Sequence, residues 1–98
     1  MFIVTLSFAE NRGEASQWMA GHKQWIADGF DQGLVLMVGS MADGAGGIML
    51  LRGDDYDAVA QWVAQDPFVI HGVVGAHIQQ FTPNRMVSQL EFLQEQAA

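Results

Sequence analysis

Residues 2–8 alternate, with Phe2, Val4, Leu6 and Phe8 on one side and Ile3, Thr5 and Ser7 on the other. A period of two predicts a strand beginning almost at the first residue. The polar stretch Glu10-Asn11-Arg12-Gly13 interrupts it. From Glu14 to about Phe30, Trp18, Met19, Trp25, Ile26 and Phe30 recur at steps of three, four and seven, with His22 among them. That spacing predicts an amphipathic helix. Leu34-Val35-Leu36-Met37-Val38 is too short and too β-branched for another helix and predicts a second strand. A turn at Asp43-Gly44-Ala45-Gly46-Gly47 then leads to a third strand over 48–51.

Arg52-Gly53-Asp54-Asp55 offers an aspartate as N-cap, and Tyr56, Val59, Ala60 and Val63 follow at helical spacing. Pro67 closes that pattern, because the residue before proline is pushed out of the α region. Residues 74–81 predict a fourth strand. Beyond Thr82-Pro83-Asn84, the positions of Met86, Leu90 and Leu93 predict a final short helix. The order β-α-β-β-α-β defines an α+β, ferredoxin-like split βαβ domain over 1–82, with a C-terminal helical extension over 83–98. Two helices would cover one face of a four-stranded antiparallel sheet and leave the other open. Strands 1 and 2 carry apolar residues on both faces, so the expected partner is a second copy, docked through the open sheet face.

Composition narrows the chemistry. With 98 residues, half of them hydrophobic and 15% charged, the chain suits one small packed domain. A formal charge of −7 argues against nucleic acid and against anionic membranes. The absence of cysteine removes disulfides, thiolate nucleophiles and zinc knuckles. No segment reaches the roughly 18 to 20 apolar residues of a membrane span, and the N-terminus lacks signal-peptide features. The expected location is cytoplasmic. Gly44, Gly46 and Gly47 lie between two strands, so they predict a hairpin rather than a dinucleotide loop.

Histidine and carboxylate remain. His22 shares a helix face with Trp18, Trp25 and Ile26, where a histidine is either a hydrogen-bonded core residue or a proton carrier. Asp66 precedes Pro67, a placement that equally suits a turn bonding its own backbone. In a split βαβ fold the two helices lie side by side, which brings a carboxylate ending the second within reach of a histidine on the first. Such a pair would make a general base. His71 and His77 lack the short spacing of a metal set with His22, so no metal is expected. Asp54, Asp55 and Asp57 suit a helix cap. The three tryptophans fill a core or line an aromatic-substrate pocket.

The helix histidine, Leu34-Val35-Leu36-Met37-Val38-Gly39-Ser40, Asp66-Pro67-Phe68 and Val69-Ile70-His71-Gly72-Val73-Val74 together resemble the YciI-like (YCII-related) family over about residues 1–82. The resemblance implies a ferredoxin-like fold dimerising sheet to sheet, as in dimeric α/β-barrel proteins. It also implies a His–Asp dyad, here His22 and Asp66, acting without metal or organic cofactor. One branch resembles a dehydrochlorinase of chlorinated hydroxyquinols. Relatives often carry a basic residue three positions before the histidine, where this chain has Met19. They also tend to have Gly-Pro after the second strand, where Gly39-Ser40 stands here. Ser40, Trp18 and Phe68 are the candidate substrate contacts. The expected activity is that of a proton-transfer lyase or isomerase on a small cyclic or aromatic compound. The alternatives are a noncatalytic small-ligand-binding dimer and a haem- or quinone-handling barrel of the monooxygenase type.

Overall fold

In the computed structural model, which describes residues 1–96, the alternating N-terminal run is strand β1, Phe2–Phe8. Phe2, Val4 and Leu6 are buried and Ile3 and Ser7 are exposed, as the pleat requires. Strand β1 sits between β3 (Gly46–Leu51) and β4 (Val74–Gln80), and β2 (Val35–Ser40) lies at the edge beyond β3. All neighbours pair antiparallel, in the order β2-β3-β1-β4 of a split βαβ sheet. The expected strands are all present, their ends displaced by one or two residues.

A bulge interrupts β2 at Leu36, where the register jumps between Val35 and Met37. One extra residue reverses the alternation that follows it. Val35 lies opposite Leu51 on the helix-covered face, whereas Met37 lies opposite Leu50 on the other. Val38 and Ser40 thereby return to the helix side, opposite Met49 and Gly47.

Helix α1, Ala15–Asp31, follows a 3₁₀ turn at Arg12–Glu14, and helix α2 spans Tyr56–Val63. The expected aspartate cap of α2 is Asp55, whose Oδ1 accepts from the Ala58 amide at 3.1 Å. The two helices meet through tryptophan. The Trp25 and Trp62 rings stack at 4.1 Å, and Trp25 Nε1 donates to the Trp62 carbonyl at 3.0 Å. Gly29 permits this contact, since a Cβ there would stand 2.6 Å from both Trp62 Cζ2 and Val35 Cγ2. Phe30, about 100° further round the helix, is left 45% exposed.

Two expectations are corrected. Asp66 does not end α2, which stops at Val63; instead, Pro67 opens a separate one-turn helix, α3, Pro67–Ile70. Proline is at home there because the first helical N–H has no intrahelical partner to lose. The C-terminal segment Ser88–Gln96 is 3₁₀ rather than α-helical, and the last two residues of the 83–98 extension lie outside the described residues. Of its apolar residues Leu93 is buried, whereas Leu90 and Phe92 are more than 40% exposed. A helix with so little to bury is not driven to propagate.

That segment also modifies the expectation of a wholly bare second face. Met1 and Leu93 are buried outside the main core and share a second cleft with Leu50 and Phe81. The C-terminal residues thus shield one end of the face, and Ile3, Met37 and Ile48 remain 38–62% exposed beyond it.

The tight Gly29 contact gives a first expectation. Gly29→Ala overpacks the Trp25–Trp62 seam and lowers unfolding free energy by about 1–3 kcal/mol, measurable by urea denaturation.

Candidate active site

Asp66 is the only fully buried charged residue among the described ones, with 0% exposure. Its backbone is extended (φ −61°, ψ 123°), and it N-caps α3, with Oδ1 accepting from the Phe68 amide at 3.0 Å. The turn-type reading of Asp before Pro is therefore correct as far as it goes. The same oxygen has a second partner. His22 Nδ1 lies 2.8 Å from Asp66 Oδ1.

Glycine sets that separation. A Cβ on Gly21 would stand 3.0 Å from Pro67 Cγ, so the bare backbone of α1 lets α3 close against it. Gly21 precedes the histidine and Pro67 follows the aspartate, so this approach places the two candidate side chains together. The Phe68 ring stacks on the imidazole with centroids 3.9 Å apart and planes 4° from parallel. The imidazole is therefore held edge-on by a carboxyl and face-on by an aromatic ring. With Oδ1 an acceptor for the Phe68 amide, the matching tautomer carries its hydrogen on Nδ1 and leaves the Nε2 lone pair unused. Among the described residues Nε2 has no hydrogen-bond partner. Asp66 Oδ2 is buried and likewise unpartnered among them.

His22 also lines a cleft of about 380 Å³ between α1 and the sheet. Ser40 and Phe68 line it with him, from β2 and α3 respectively. Three of the candidate residues are thus gathered with Asp66 behind them. Trp18 is not: its ring stacks on His71 at 3.5 Å, outside the cleft walls. His71 ends α3, and its carbonyl accepts from Asn11 Nδ2 at 3.0 Å. His77 is exposed on the open sheet face, opposite Thr5. The three histidines therefore occupy separate surroundings.

The hairpin glycines have a function in the wall. Gly46 (φ +153°) lies so close to β1 that a Cβ would fall 1.9 Å from the Leu6 carbonyl oxygen, and it lines the cleft beside Gly47 and Gly39. Sequence reasoning gave them a turn and missed the wall. It also missed Gly21 and Gly29, although a glycine inside a helix costs about 1 kcal/mol against alanine and so signals a packing reason.

A family model for the YCII-related domain matches residues 1–81. The chain belongs to the YCII-related family. The YCII-related match ends one residue past β4, so it contains every residue of the cleft and of the His22–Asp66 pair. Among solved structures, the fold is similar to 5-chloro-2-hydroxyhydroquinone dehydrochlorinase from Burkholderia phenoliruptrix, determined in complex with 2,5-dihydroxybenzoquinone. The similarity has a TM-score of 0.67 at 14% identity and covers 84% of this chain and 94% of that one. No curated protein sequence matches. The shared architecture is α+β with a four-stranded antiparallel sheet, and no described helix is long and apolar enough to cross a membrane.

Removing the buried carboxyl tests the framework. Asp66→Ala deletes the α3 cap and the partner of His22 together, at a cost of roughly 2–4 kcal/mol, read as a lower denaturation midpoint.

Proposed function

We propose that the chain is a proton-transfer enzyme, a lyase or isomerase of the dehydrochlorinase kind, working in the α1–sheet cleft. The 2.8 Å contact between Asp66 and a histidine that itself lines the cleft carries the reading. Nε2 of His22 exchanges the proton with substrate. Asp66 touches no substrate and acts as a positioning residue, fixing the tautomer and favouring the imidazolium that forms. On a chlorinated hydroxyhydroquinone the steps balance as loss of HCl. A proton is added at the chlorine-bearing ring carbon, two hydroxyl protons depart, and chloride leaves with the C–Cl electron pair. The product is a hydroxyquinone.

The dehydrochlorinase fold supports this choice of reaction, and the pairing of histidine with buried carboxyl supports the choice of base. A second reading, a noncatalytic binding module in which the pair only braces α1 against α3, draws on the complete burial of Asp66 and its capping of α3. Chloride release from 5-chloro-2-hydroxyhydroquinone separates the two. His22→Ala lowers the rate about 10²–10⁴-fold with the far-ultraviolet circular dichroism retained. Equal rates in wild type and variant count against the general base.

The functional unit in this reading is a homodimer formed through the open sheet face. Ile3, Met37 and Ile48 are exposed there, and none of the strand positions on that face carries a charged side chain other than a titratable His77. Two chains of formal charge −7 can meet on that patch without opposing carboxylates. Sedimentation velocity gives a dimer for the wild type and a shift to monomer for Met37→Lys. A wild-type monomer at micromolar concentration contradicts the assembly.

A further inference from the structure

The cleft has a distinctive polarity. Only two of its lining side chains are polar, His22 and Ser40; the others are aliphatic, aromatic or thioether groups, or are absent at glycines. No lysine or arginine belongs to the wall among the described residues. Arg12 holds its guanidinium over the Phe8 ring at 4.5 Å from the centroid, and of the two only the ring lines the cleft. The His22–Asp66 pair adds no net positive charge either, because Asp66 balances any proton that His22 takes up. The chain around the site carries a formal −7. An anionic ligand entering this space would lose hydration with no cation to replace it, against the field of the whole molecule.

The walls also have a shape. One carries the stacked, parallel rings of His22 and Phe68. Another is glycine backbone, Gly39, Gly46 and Gly47, and at the last two bulk is opposed by the sheet itself: a Cβ would fall 1.9 Å from the Leu6 carbonyl oxygen at Gly46 and 3.3 Å from the Gly39 carbonyl oxygen at Gly47. A volume of about 380 Å³ is ample for a single ring with small substituents.

Resting on the proposed general base, we infer that the substrate is an uncharged, flat, single-ring compound carrying hydroxyl or carbonyl oxygen, and that the cleft discriminates against carboxylated rings of the same size. Ser40 is the specificity residue that meets one ring oxygen, while His22 meets the reacting proton. Met19 marks where the charge selectivity is decided. It lines the cleft from α1, one turn before His22, with a thioether and no charge.

The test is binding, measured by isothermal titration calorimetry at pH 7 under argon, with hydroquinone and 2,5-dihydroxybenzoate as probes differing only in one carboxylate. The expected result is saturable binding of hydroquinone and at least tenfold weaker binding of the benzoate. Met19→Lys, with folding checked by circular dichroism, raises benzoate affinity at least tenfold and removes the discrimination. Ser40→Ala weakens hydroquinone by three- to tenfold. Equal or tighter binding of the benzoate by the wild type overturns the inference, as does failure of hydroquinone to bind. These outcomes do not depend on turnover: selective binding with no effect of His22→Ala on chloride release would retain the ligand class and remove the general base. The converse pattern, histidine-dependent turnover with benzoate preferred, would retain the base and remove the ligand class.

Discussion

A carboxyl group with no access to solvent must be answered by donors from the protein, and Asp66 is such a group. Its Oδ1 draws the Phe68 amide from one side and His22 from the other. The first contact starts α3 and the second fastens α3 to α1. The crossing of the helices, the orientation of the imidazole and the position of the Phe68 ring follow from one buried oxygen. Stability and the proposed chemistry therefore share an atom. A polar pair inside a small domain is costly to break, and the same cost keeps the imidazole in one tautomer.

The contact also depends on what is missing around it. Gly21 gives α3 room beside α1, Gly29 gives Trp62 room beside the same helix, and Gly46 lets β3 lie against β1. A glycine weakens a helix locally by about 1 kcal/mol, and each of these three allows a close packing contact that a Cβ would obstruct. Of the three, Gly46 also lines the cleft itself.

Much of this was legible before any coordinates. Period-two alternation in Phe2–Phe8 and helical spacing through Trp18, Trp25 and Ile26 reported the inside of the domain, because burial is recorded in side-chain polarity. Topology made a meeting of His22 and Asp66 possible, although the carboxyl reaches the imidazole from the cap of α3 and not from the end of α2. What stayed hidden depended on backbone direction rather than on polarity. Pro67 looks like a stop whether it ends one helix or begins the next, and here it begins α3. Trp18 shares the helical face of His22, yet a neighbouring ring, His71, captures it outside the cleft. The burial of Leu93 in the cleft that Met1 also lines belongs to a segment beyond Pro83 whose path no local pattern encodes.

The bulge at Leu36 has a consequence for comparing related chains. Residues beyond it owe their side of the sheet to the bulge: were Leu36 paired regularly instead, the alternation set by Val35 would carry Met37 and Gly39 inward. Val38 and Ser40 would then turn outward, and the hydroxyl would leave the wall. Losing the bulge while keeping every residue is thus an exchange of surfaces, in which the open face and the cleft trade their side chains, whereas deleting the bulged residue leaves both faces as they are. Relatives should be aligned here by the face each residue occupies, since an alignment by identity alone can assign a cleft residue to the open face of the sheet.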